Sequence, residues 1–60
     1  MDYTLDAYWC VEAAVKGHLE VLKWLRSEGC NWNEYVISYA LANGHIEVVK
    51  WARENGCPEP

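Results

Sequence analysis

Apolar residues along this 60-residue chain recur at intervals of three and four, and nowhere do they alternate with period two over a useful length. That pattern predicts helices and no strands. The first helix is expected over Asp6–Val15, with Cys10, Ala13 and Ala14 at helical spacing and Asp6 placed to cap its first turn. Gly17 ends it, at the position past a helix where a left-handed backbone costs least. A second helix is expected over His18–Glu28 and closes on Gly29. The third, over Glu34–Asn43, takes Asn33 as its cap and carries Ile37, Ala40 and Leu41 on its apolar face. The fourth covers Ile46–Asn55 and stops before Gly56-Cys57-Pro58, since proline cannot continue a helix.

At 100° per residue, Leu19, Val21, Leu22, Trp24 and Leu25 spread over about 220° of the second helix. Glu20, Lys23 and Ser27 share the narrow face that remains. A surface helix needs an apolar stripe of only about 100° or a little more. This one is therefore patterned to be covered on more than one side. The same arc returns in the fourth helix as Ile46, Val48, Val49, Trp51 and Ala52.

The return extends to whole stretches of sequence. Gly17-His18-Leu19-Glu20-Val21-Leu22-Lys23-Trp24-Leu25-Arg26 reappears as Gly44-His45-Ile46-Glu47-Val48-Val49-Lys50-Trp51-Ala52-Arg53. Each copy then reaches a Gly-Cys pair, Gly29-Cys30 and Gly56-Cys57, and the 27-residue offset also joins Tyr8 to Tyr35 and Ala13 to Ala40. Self-similarity at a fixed period of this size marks a repeat architecture. The expectation is one all-α domain over residues 1–60, divided into helix-turn-helix repeats at 6–32 and 33–60.

Ala13-Ala14-Val15-Lys16-Gly17-His18-Leu19-Glu20-Val21-Leu22-Lys23 resembles the helix-turn-helix half of an ankyrin repeat, and Ala40–Lys50 resembles it nearly as well. Leu41 stands where the second Ala is usual, and Tyr8-Trp9-Cys10-Val11 and Tyr35-Val36-Ile37-Ser38 replace the family's Thr-Pro-Leu-His. The period of 27 is shorter than the family's usual ~33. The missing residues come from the connector, so the resemblance implies a solenoid of two ankyrin-like repeats without the projecting β-hairpin. The short period, the Trp on the second helix and the Gly-Cys-Pro ending are similar to divergent repeats of large DNA viruses and unicellular eukaryotes.

Composition narrows the function. An apolar share of 52% with four Trp and four Tyr suits a packed core and argues against disorder. Nine acidic and five basic residues give a net charge of −4 with no Lys/Arg stripe, which disfavours a nucleic-acid partner. No apolar run approaches the ~20 residues of a membrane span, and Asp2 and Asp6 interrupt any signal-peptide pattern. Three cysteines are too few for a disulfide framework, so reduced thiols and an intracellular, cytoplasmic setting are expected.

His18 and His45 with Cys30 and Cys57 invite a zinc reading, but zinc motifs bring their ligands in close local pairs. Here each His lies twelve residues from the Cys that follows it. A fixed turn position, with the imidazole bonded to backbone between helices, fits better. Cys10 pairs with Ile37 in the repeat alignment and reads as a small core hydrophobe. Glu20/Lys23 and Glu47/Lys50 read as exposed helix pairs that contribute about 0.2–0.5 kcal/mol each. Trp24 and Trp51 lie inside the apolar arc and read as packing between repeats.

No constellation supports catalysis, a cofactor or a metal. The expected function is protein–protein interaction, with specificity carried where the two copies differ: Trp9 against Val36, Glu12 against Tyr39, Lys16 against Asn43, Trp32 against Glu59. The resemblance places the first helices on the concave side, which makes Trp9, Glu12, Tyr35, Val36 and Tyr39 the candidate contact residues. The competing expectation is structural. Repeat arrays usually need at least three units and polar caps, so two units with greasy ends would self-associate or form part of a longer array.

Overall fold

A computed structural model of the chain describes residues 7–60. The expected cap Asp6 lies outside the described residues. Among those described, the chain forms four helices and no strand: α1 (Ala7–Lys16), α2 (Leu19–Ser27), α3 (Glu34–Ala42) and α4 (Ile46–Glu54). None of them is long and apolar enough to cross a membrane.

Local chemistry sets the helix ends. The Asn33 side chain accepts a hydrogen bond from the Tyr35 backbone N–H at 3.0 Å and so caps α3 as the sequence predicts. Each helix ends in the same device. After α1 the His18 N–H reaches back to the Ala13 carbonyl at 2.9 Å, and the Gly17 N–H reaches the Ala14 carbonyl at 3.2 Å. This six-to-one and nested pairing is the Schellman arrangement. It repeats at Cys30→Leu25, His45→Ala40 and Cys57→Ala52, at 3.0, 2.8 and 3.0 Å. His18 and His45 therefore sit just outside α2 and α4 and serve as the residues from which those helices start.

Within each pair the two helices pack on one another, α1 on α2 and α3 on α4, and α1 packs closely on α3. α2 and α4 meet at most marginally. The stack is thus tight on the side of the first helices and open on the side of the second. The connector from Glu28 to Asn33 holds no hairpin. It is fastened instead by the Arg26 guanidinium, which donates to the Cys30 carbonyl and lies 4.3 Å over the Trp32 ring. Trp32 in turn meets Trp51 of α4 edge to face, with ring centroids 5.6 Å apart.

The core is built from Cys10, Ala13, Ala14, Leu22, Leu25 and Cys30 of the first pair with Val36, Ile37, Ala40, Val48, Val49, Ala52 and Cys57 of the second. The repeat is visible in it: Cys10/Ile37, Ala13/Ala40, Leu22/Val49, Leu25/Ala52 and Cys30/Cys57 are equivalent positions, all buried. What breaks the equivalence is the seam. Val36 and Val48 are fully buried, while their counterparts Trp9 and Val21 are 47% and 45% exposed. Ala14 is buried, and its counterpart Leu41 is exposed. Trp24 is a correction to the expectation of packing between repeats. It is exposed where Trp51 is half-buried, because the ring that covers Trp51 belongs to the preceding connector and the equivalent position is Leu5, outside the described residues.

The seam also holds the closest approach in the fold. His45 Nε2 donates to the Val15 carbonyl at 3.1 Å, and since a carbonyl only accepts, Nε2 carries the proton. The ring lies directly over Gly17, where a Cβ would fall 2.6 Å from it. Gly17 and Gly44 have nearly the same backbone, φ +71° and +73°, yet a Cβ on Gly44 would meet nothing within 4 Å. The pair separates two effects. Gly44→Ala carries only the left-handed strain of an L-residue, about 1–2 kcal/mol. Gly17→Ala adds displacement of the His45 ring and loss of its hydrogen bond, about 1 kcal/mol more. Urea unfolding of the two variants should rank Gly17→Ala as clearly the less stable; equal midpoints would show that the ring moves aside freely.

Candidate protein-binding site

The first helices display two parallel rows in register. Tyr8, Glu12 and Lys16 run along α1, and Tyr35, Tyr39 and Asn43 occupy the equivalent places along and just past α3. Residues four apart on a helix stand one above the other, so each row is a continuous stripe. In the first, Lys16 Nζ lies 3.6 Å from a Glu12 carboxylate oxygen. In the second, the Tyr35 and Tyr39 rings lie 6.0 Å apart in a tilted pair, and the Asn43 amide donates to the Tyr39 carbonyl at 2.8 Å. Tyr8, Tyr35 and Tyr39 are all exposed.

The five predicted contact residues divide on this surface. Glu12, Tyr35 and Tyr39 share the outer face of the first helices. Trp9 lies one position round α1, edge to face with Tyr8 at 5.9 Å, and belongs to the end of the stack. Val36 is fully buried in the seam and has no side chain to offer a partner. The rule of difference between copies, which selected Trp9, Glu12, Val36 and Tyr39 while Tyr35 came from its place on the first helix, caught two kinds of position: those that face outward, and those that face an end in one repeat and the seam in the other. The same rule missed Tyr8, because it is identical to Tyr35. Its signal was the four-residue spacing to Glu12, matching that of Tyr35 to Tyr39.

Other candidate chemistry is tied into the scaffold. His45 is held on the Val15 carbonyl, in the turn role that its spacing suggested, while His18 is exposed. Among the described residues no three His, Cys, Asp or Glu side chains are grouped to hold a metal. The Glu20–Lys23 pair closes at 3.6 Å in water, and the equivalent Glu47–Lys50 pair does not close. Arg53 pairs with Glu59 at 3.3 Å, which puts both repeat arginines on the same connector position, Trp32 in one repeat and Glu59 in the other.

All three cysteines are reduced and buried. Cys10 Sγ lies 3.2 Å from Cys30 Sγ, and Cys30 is 3.5 Å from the Asn31 carbonyl, a short relay of thiol hydrogen bonds inside the first repeat. Burial, with the Cys30 thiol as second cause, pushes the Cys10 thiol up to about 12. Burial also raises Cys57, whose Sγ lies 3.5 Å from the Asn33 carbonyl, against the opposing effect of the Ile37 backbone. A nucleophile or metal ligand needs a thiolate, and burial disfavours that form at Cys10 and Cys57.

The chain matches a protein-family model, described as ankyrin repeats (many copies), over residues 10–53. Comparison with curated proteins and with solved structures gives no match.

The thiols give the fold a signature at alkaline pH. The Cys10 pKa rises on folding from 9.0 to about 12, so its contribution to stability is intact below pH 9 and is lost as pH rises through that interval. The urea midpoint should fall between about pH 9 and pH 12, and Cys10→Ala should flatten part of that fall. An identical slope in the variant would mean that other groups carry it.

Proposed function

Since the chain belongs to the ankyrin-repeat family, we propose that it is a protein-interaction module whose contact surface is the outer face of α1 and α3. Ankyrin repeats are generally protein-binding modules without catalytic activity. The observation that carries the finer reading is the exposed aromatic row Tyr35–Tyr39 beside the Tyr8–Glu12–Lys16 row, in register on the tight side of the stack. Tyrosines provide large contact area at low entropic cost and are enriched among residues that dominate binding energy. Glu12, Lys16 and Asn43 supply charge and amide groups at the rim. Trp9 adjoins this face through Tyr8 and is assigned a peripheral contact; Val36 supports the face from beneath.

The reading takes residues 1–60 as one domain with repeats at 6–32 and 33–60. It assigns no cofactor, no metal, no enzymatic step and no nucleic-acid partner, in keeping with the net charge of −4. An odd count of three cysteines, too few for a disulfide framework, is the ground for assigning the chain an intracellular, cytoplasmic setting. Self-association would draw on other surfaces, the two ends of the stack.

The test is affinity capture with the chain and with a Tyr35→Ser/Tyr39→Ser variant, followed by NMR mapping of the captured partner's footprint. Both tyrosines are exposed, so the variant keeps its helicity. Loss of a central aromatic pair should weaken binding by at least about tenfold. A partner that binds both forms equally, with shifts confined to α2 and α4, would sink this assignment.

A further inference from the structure

The two repeats bury different sides of the same structure. The second repeat covers Val36, Val48 and His45 against the first; the equivalent Trp9, Val21 and His18 at the opposite end are exposed. The first repeat in turn covers Ala14, Leu19 and Gly17, while the equivalent Leu41, Ile46 and Gly44 are exposed. Each half of the internal seam thus has a second, exposed counterpart among the described residues, one in each repeat. The two spare halves are complementary in kind, because shifting the seam by one repeat brings them together.

Particular atoms record this. Inside the chain His45 lies on Gly17 and donates to the Val15 carbonyl. The shift by 27 residues maps His45 to His18, Gly17 to Gly44 and Val15 to Ala42. His18 is exposed, and Gly44 is open, with nothing within 4 Å of where a Cβ would stand. Bulk agrees as well. Where the seam has the small Ala14, the free end has the larger Leu41 at 46% exposure. At the opposite end a groove of about 310 Å³ leaves room for it, with Trp9, Val21, Trp24 and His18 along its walls and Glu12 and Lys16 at its edge.

We propose that a second copy of this chain occupies that groove, seating its Leu41, Gly44 and Ile46 on Trp9, Val21 and Trp24, with His18 donating to the copy's Ala42 carbonyl. The contact is head to tail, so it leaves one spare half at each end and does not close on a pair. The groove borders Glu12, Lys16 and Trp9 at the edge of the first-helix face, whereas Tyr35 and Tyr39 lie outside it. The Tyr35→Ser/Tyr39→Ser variant therefore tests that face alone, and the variants at Leu41 and Val21 test this contact alone.

Sedimentation equilibrium over about a hundredfold concentration range tests it, with far-UV circular dichroism to check that helicity is kept. The average mass of the parent chain should climb past that of a dimer without levelling. Leu41→Glu and Val21→Glu, at exposed positions on opposite ends, should each be monomeric where the parent associates. Mixed in equal amounts they should form dimers and nothing larger, since only one intact pair of ends remains. His18→Ala should weaken association about two- to tenfold. Ile46→Glu and Trp24→Glu repeat the test at independent positions. A parent chain that stays monomeric, a mixture that stays monomeric, or a single variant that still associates would each overturn the proposal.

Discussion

The ring of His45 rests on Gly17 and its proton is shared with the Val15 carbonyl, and around that contact Val36 and Val48 lose all or nearly all of their exposure to water. An isolated pair of nine- or ten-residue helices is too short to hold itself in water. Each pair here also carries an apolar arc wider than its own partner helix can cover. The seam between repeats supplies the missing burial, which is why stability in such arrays is a sum of repeat and neighbour terms. A glycine is required beneath the imidazole because any Cβ would stand in the ring, and the imidazole is required because no aliphatic side chain could bond the carbonyl. The contact accounts for Gly17 and His45; the same residues stand at Gly44 and His18, where it is not made within the chain.

The 220° arc of the second helix, legible in the sequence, turns out to be filled by two half-arcs. In α2 the side toward the second repeat is covered and Val21 and Trp24 are open; in α4 Val48 is covered and Ile46 is open. Periodicity shows that a residue wants burial, and it is silent about whether a neighbour exists to bury it. That is why the helices, the Asn33 cap, the glycines that end each helix and the positions of Cys10, Ala13 and Ala40 could be read in advance, while Trp24 could not. Val36 failed for the related reason. Difference between copies marks a position released from repeating, and the cause can be a partner outside or an edge of the stack.

The absence of a hairpin changes where such a molecule can bind. The connector is held flat by Arg26 on the Cys30 carbonyl and by the Arg26–Trp32–Trp51 stack, so it offers no projecting finger. Contact area must then come from helix faces and from the ends. The outer faces of α2 and α4 are short ladders of charge such as Glu20–Lys23, where strongly hydrated groups make poor anchors. The first helices carry tyrosines instead, on the side where the repeats approach most closely and the rows hold the best register. A shortened repeat thereby concentrates its recognition chemistry on α1 and α3, and leaves the identity of position 32 or 59, Trp or Glu, to decide whether an arginine is spent on stacking within the array or on an ion pair at its edge.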